Sequence, residues 1–236
     1  MKSDLRSIAA SLGALEDDVR RRMYLFIRDQ ARPVSRDEAA KEAGISRKLA
    51  AFHLDKLVDR GLLRAHYARP PGRGGPGAGR PSKLYEPADG ELSLSIPERR
   101  YDLLGGILVD AIESRSPEES ASDAVRRVAR RVGEDLGREI RRTRRLYPAG
   151  PERALSVARD VLRDHGFEPY AGAGGQLELR NCPFHVLARR APELVCGLNQ
   201  AFVDGLLRGL GNETVMAALE PQPGQCCVKL RPPAKR

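Results

Sequence analysis

Gly44-Ile45-Ser46-Arg47-Lys48-Leu49-Ala50-Ala51-Phe52-His53-Leu54-Asp55-Lys56-Leu57-Val58-Asp59-Arg60-Gly61 is the stretch that decides the fold. Ser46 is a natural N-cap, because its hydroxyl accepts from a backbone N–H that the first helical turn leaves unpaired. Leu54, Leu57 and Val58 recur on one stripe, which predicts a helix over 46–60 with a single apolar face and Gly61 as its stop. Gly44 lies just upstream, where a tight turn needs positive φ and glycine provides it without steric cost. Further upstream, Arg36 to Ala43 follows Ser35 with Glu38 three residues on, the spacing of a capping box. Asp17 to Gln30 carries apolar residues at 19, 23, 26 and 27 and predicts another helix.

After Gly61 the period changes. Leu62-Leu63-Arg64-Ala65-His66-Tyr67 and Ser82-Lys83-Leu84-Tyr85-Glu86 read as strands, with the Gly/Pro/Arg run from Pro70 to Pro81 as the tip between them. Helix, helix, turn, helix, hairpin is the order of a winged helix-turn-helix. In that arrangement the second helix of the pair enters the DNA major groove, and its N-terminal residues approach base edges. This selects Ser46, Arg47 and Lys48, joined by Phe52 and Lys56, which project away from the Leu54/Leu57/Val58 stripe. Arg47 suits a bidentate contact to guanine, and Phe52 suits contact with a thymine methyl. Arg69, Arg73, Arg80 and Lys83 around the hairpin suit phosphate or minor-groove contacts, which position a protein rather than specify sequence.

The chain has 236 residues, with Lys+Arg 41 against Asp+Glu 32 and a net charge of +9. That length suits one large domain or two ordinary ones. No apolar run approaches a membrane span, and Met1-Lys2-Ser3-Asp4-Leu5 is not a signal-peptide core, so the expectation is a cytoplasmic protein with no membrane partner. The positive charge is concentrated. Residues 36–83 hold eleven basic and five acidic side chains, residues 126–145 hold nine arginines and three acids, and each segment sums to +6. The second segment reads as a solvated or dimer-flanking helix face, or as a secondary contact to the DNA backbone.

The rest of the chain alternates helices and short strands. Helices are predicted over 101–112, 117–145, 152–165, 183–191 and 194–210, with strands near 166–170, 176–180, 214–219 and 226–230. The expected class is α+β: a winged helix-turn-helix over 1–90, a helical linker and dimerisation region over 91–148, and a C-terminal α+β sensor domain with a small antiparallel sheet over 149–236.

All four cysteines, Cys182, Cys196, Cys226 and Cys227, fall in this last part. Their spacing is not C-x-x-C, which disfavours a zinc ribbon. Thiolates gathered by the fold suit an iron–sulfur cluster, and four buried free thiols are the plain alternative. Adjacent strand residues face opposite sides, so Cys226 and Cys227 are poorly placed to bind one iron. Cys226 shares the apolar side of Val228 and Leu230 and is the first choice of the two, leaving Cys227 with Lys229 and Arg231. His185, three residues after Cys182, is a candidate fourth ligand. The Cys226-Cys227 pair as an enzymatic dithiol finds no general base, cofactor loop or nucleophile environment, so no enzyme is expected.

Gly44-Ile45-Ser46-Arg47, Ala51-Phe52-His53-Leu54-Asp55-Lys56-Leu57, Gly61-Leu62-Leu63 and Gly79-Arg80-Pro81-Ser82-Lys83-Leu84-Tyr85 resemble bacterial ArsR-type winged-helix regulators. Asn181-Cys182-Pro183-Phe184-His185, Leu194-Val195-Cys196 with Asn199, and Pro223-Gly224-Gln225-Cys226-Cys227-Val228 resemble the SufR-like branch. The resemblance implies a homodimeric repressor on an inverted-repeat operator in double-stranded DNA, carrying an iron–sulfur cluster of 2Fe–2S or 4Fe–4S type. It implies Cys182, Cys196 and one of Cys226/Cys227 as ligands. The sequence departs from the four-cysteine pattern of the branch in having no thiolate between Gly197 and Gln225, which leaves a position to His185, another residue or an exogenous ligand. The alternative reading is a winged-helix regulator whose C-terminal part senses a small molecule or zinc.

Overall fold

Helix caps and a left-handed glycine organise the N-terminal part as the sequence predicts. The computed structural model describes residues 5–68, 81–89, 93–145, 151–212, 214–222 and 224–231, and the chain divides into two units, Met1–Leu94 and Ser95–Arg236.

In the first unit, α1 (Leu5–Ala14) and α2 (Asp18–Asp29) precede the two-residue strand β1 (Val34–Ser35), α3 (Arg36–Ala43), α4 (Arg47–Asp59), β2 (Leu63–Ala68) and β3 (Ser82–Pro87). The capping box of α3 is complete. The Glu38 N–H donates to Ser35 Oγ at 3.3 Å, and the Ser35 N–H donates to the Glu38 carboxylate at 2.8 Å. Gly44 ends α3 in the left-handed region at φ 65°, and Ser46 caps α4 by accepting from the Leu49 N–H at 3.3 Å. The α3–α4 turn is therefore specified at each end by side-chain chemistry. Beneath it, Met23, Ile27, Ala39, Ala50, Leu54, Leu57, Leu63 and Tyr85 form one buried core. The sheet order is β1-β3-β2, antiparallel, with Ala65 opposite Tyr85 and Val34 on the other side of the same residue. Helix α1 and strand β1 extend the predicted plan, and Ser11 Oγ ties α1 to the end of α4 by donating to the Arg60 carbonyl at 2.8 Å.

The second unit contains α5 (Tyr101–Glu113), α6 (Ala121–Thr143), α7 (Pro151–Asp164), β4 (Pro169–Ala171), β5 (Leu177–Leu179), α8 (His185–Arg190), α9 (Pro192–Gly209), β6 (Met216–Leu219) and β7 (Val228–Arg231). Its sheet is antiparallel in the order β4-β5-β7-β6. The fold class is α+β, as expected. The three-part division resolves differently, because α5 and α6 do not stand apart as a linker. Leu104, Ile107, Val125 and Val128 share one core with Phe167, Phe184, Leu198, Phe202, Leu206 and Val228. Helices α6 and α9 pack closely, with Gly133 and Gly137 of α6 and Gly205 and Gly209 of α9 each set against the facing helix backbone. A Cβ on Gly205 would lie 2.0 Å from the Arg130 carbonyl oxygen, and one on Gly133 would lie 2.1 Å from that of Phe202. Glycine is required at this seam because backbone meets backbone. No described helix is long and apolar enough to cross a membrane.

Candidate nucleic-acid interface and cysteine site

The outward surface of α4 is built by what its buried stripe leaves out. Ala50, His53, Leu54 and Leu57 are buried, and 100° per residue then places Lys48, Phe52 and Lys56 on the opposite side. Phe52 is 61% exposed and Leu49 is 42% exposed, both large apolar groups facing water. The Phe52 ring meets the ring of buried His53 edge-on, with centroids 5.5 Å apart. Among the described residues, neither Lys48 nor Lys56 takes part in an ion pair. Ser46 is exposed, with its hydroxyl engaged as the helix cap.

Two further expected DNA contacts are engaged in intramolecular ion pairs. The Arg47 guanidinium grips the Asp37 carboxylate of α3, with Nε–Oδ1 at 2.5 Å and Nη2–Oδ2 at 2.7 Å, so it braces the helix pair while its side chain stays exposed. Lys83 reaches from β3 to α4, its Nζ 2.6 Å from Asp55 Oδ1 and 5.4 Å from the Tyr85 ring centre. The hydrogen bond to Asp55 holds the Lys83 ammonium above its ordinary pKa. Lys83 therefore straps the wing strand to the helix. Arg69, Arg73 and Arg80 lie outside the described residues. Leu49 was missed by sequence reasoning, since a leucine in a helix reads as core and only its observed exposure places it on this face.

The arginine-rich helix behaves otherwise. Arg126 pairs with Asp123, Arg127 with Glu119, Arg130 with Asp204, Arg131 with Asp110, Arg138 with Glu134 and Asp135, and Arg142 with Glu139. Asp110, Glu119, Asp123 and Asp204 lie outside 126–145, so most of the charge of that segment is offset by acids contributed from elsewhere in its own unit.

The cysteines come from three places. Cys182 precedes α8, Cys196 lies in α9, and Cys226 and Cys227 lie in the turn before β7. All four are free thiols, and all but half-buried Cys196 are buried. They influence one another in a chain, Cys182 with Cys226, Cys226 with Cys227 and Cys227 with Cys196. The contact with Cys226, reinforced by burial, pushes the Cys182 thiol far up. Cys226 is drawn down by Cys182 but more strongly up by Cys227 and by burial, reaching about 12. Cys227 is raised by Cys196 and burial, against the pull of Cys226, also to about 12. Cys196 ends the chain, and its contact with Cys227 lowers its pKa. Buried Asn199 donates from Nδ2 to Cys226 Sγ at 3.2 Å, while its Oδ1 has no hydrogen-bond partner among the described residues. Arg99 donates to the Cys182 carbonyl at 2.9 Å and to Asn181 Oδ1 at 2.7 Å, fixing the loop that carries the first sulfur.

The strand-phase expectation is corrected here. Cys226 and Cys227 precede β7 rather than alternate within it, and both are buried. On the side shared with Cys227, Lys229 is buried, with Nζ 3.2 Å from Glu178 Oε1. His185 is exposed at the start of α8, with its backbone N–H on the Cys182 carbonyl at 3.0 Å. The sulfurs instead have one another, Asn199 and Arg99 for polar neighbours. Among the described residues, no three His, Cys, Asp or Glu side chains form a ready group for a single metal ion.

A helix pair with a left-handed glycine turn, a braced outward helix and an antiparallel wing define the N-terminal unit as a DNA-binding helix-turn-helix, the module of a transcription regulator. In agreement, residues 15–66 match the family model of a helix-turn-helix domain. Comparison with curated proteins finds no match for the chain.

Proposed function

We propose that this protein is a homodimeric, sequence-specific transcriptional repressor whose operator affinity is switched by an iron–sulfur cluster held by Cys182, Cys196, Cys226 and Cys227. The observation that carries the reading is the gathering of four thiols from three separated segments into one connected group. The donor set fits such a cofactor in kind and number. A single zinc needs its ligands about 2.3 Å from one centre, whereas a polynuclear cluster spreads its thiolates over several irons. When bound, the cluster supplies a redox- and oxidant-sensitive centre. The chain supplies the rest. Cys182, Cys226 and Cys227 are held as thiols by mutual contact and burial, so ligation releases their protons. Asn199 offers a hydrogen bond to the Cys226 sulfur, and Arg99 anchors the Cys182 loop.

A two-fold dimer presents two copies of α4 and therefore reads an inverted repeat with half-sites about one helical turn apart. Coupling between the cluster and DNA is then a free-energy difference between two conformations. Anaerobic purification with iron and sulfide analysis, a visible spectrum and a DNA-shift assay test this together. The expected result is a coloured protein whose DNA affinity changes on cluster loss, and whose Cys182→Ser and Cys196→Ser variants lose both colour and switching. An iron-free, colourless protein that still switches on DNA overturns it in favour of a small-molecule sensor.

A further inference from the structure

We infer that Phe52 and Leu49 form an apolar reader of thymine methyl groups, centred between two phosphate-directed lysines, and so set part of the base preference of the N-terminal unit. The inference rests on the reading of α4 as the DNA-facing helix and adds what that helix recognises. Three observations converge. First, Phe52 and Leu49 are three residues apart on one side of α4 and are both exposed, at 61% and 42%. Neighbours at that spacing make a continuous surface. Second, the Phe52 ring is held edge-on against buried His53 and so meets a partner with little ordering left to do. Third, Phe52 is the midpoint between Lys48 and Lys56, four residues away on either side and together spanning about 12 Å of helix.

The chemistry of the occupant follows. Cations with no ion pair among the described residues, flanking an apolar patch, fit a polyanion that exposes apolar groups between its phosphates. In the major groove the thymine 5-methyl is the apolar group on the base edges. Arg47, which would otherwise read guanine from the first turn of α4, is gripped by Asp37 at 2.5 Å. The apolar pair is thereby left as the more available base-facing element, and the predicted preference is for A·T-rich positions under its centre.

The test begins with selection of binding sites from random double-stranded DNA by the full chain. Each thymine of the enriched site is then replaced singly by deoxyuridine, which removes only the methyl. For the unmodified protein, at least one replacement per half-site is expected to weaken binding about fourfold, the size of one buried methyl. For Phe52→Ala and Leu49→Ala the same replacement is expected to have almost no further effect. Both variants should keep the parental salt dependence, because their phosphate contacts are intact. That shared salt slope also shows that the exposed substitutions have not unfolded the unit. An enriched site at which every deoxyuridine is tolerated, or variants that retain the full methyl penalty, overturns the inference. Failure to enrich any sequence overturns the sequence-specific reading of the helix-turn-helix itself.

Discussion

Helices α4 and α6 come from segments of equal net charge, +6 each, and they use it in opposite ways. On α6, six arginines have acidic partners supplied partly from α5, α9 and the loop before α6, and the opposite side is locked by glycines against the α9 backbone. On α4, Lys48 and Lys56 have no such partners among the described residues, and a large aromatic group lies exposed between them. The difference teaches that a run of basic residues locates an interface only after its pairing is known. Charge answered within its own unit gives a face that water and salt already satisfy, whereas cations without partners are available to phosphates.

The largest expected effect tests the structural side of this comparison. Gly205→Ala drives a Cβ to within 2.0 Å of the Arg130 carbonyl oxygen, and backbone cannot move aside as a side chain would. A loss of about 3 kcal/mol or more is expected for the second unit by urea denaturation. A small loss would mean that α6 and α9 are not locked together and that the arginine face is free to reorient.

The next effect belongs to the α4 side. Ser35→Ala removes one half of the capping box that starts α3 and should cost about 1 kcal/mol, weakening the platform on which α4 rests. The same box is sensitive to acid. Glu38 is drawn down from 4.5 to about 2, first by its hydrogen bond to Arg32 and then by the Ser35 N–H. A depressed carboxylate contributes stability that is fully present above its unfolded pKa and is lost as pH falls toward the folded value. The first unit should therefore weaken between about pH 4.5 and 2, and Glu38→Gln should flatten that part of its pH profile. Smallest of all, Arg142→Ala breaks a fully exposed pair with Glu139 and should leave the urea midpoint unchanged.

Much of the first unit was legible because its signals are local. Ser35 with Glu38, Gly44 and Ser46 each act within four residues, and the structure places each of them as the spacing predicts. Helix α1 was not legible, since Ser11 is held by a carbonyl at the far end of α4. Strand β1, at two residues, is too short to show a period. The cysteine group was half legible. Residue type marked all four, but their meeting depends on contacts between α9, the loop before α8 and the turn before β7, which no local pattern encodes. Cys226 and Cys227 lie before β7 begins at Val228, outside the strand to which alternation applies, and buried Lys229 is paired with Glu178 on the neighbouring strand. The partners of the arginine face were not legible for a related reason: Asp110 and Asp204 answer it from distant parts of the chain.

The most direct test of the central claim, that α4 and not α6 faces DNA, is the salt dependence of binding to a selected site, compared between a Lys48→Ala/Lys56→Ala variant and an Arg138→Ala/Arg142→Ala variant. Each phosphate contact removed lowers the slope of log affinity against log salt by about one. The account predicts a slope smaller by about two for the lysine variant and an unchanged slope for the arginine variant. The reverse pattern would contradict it.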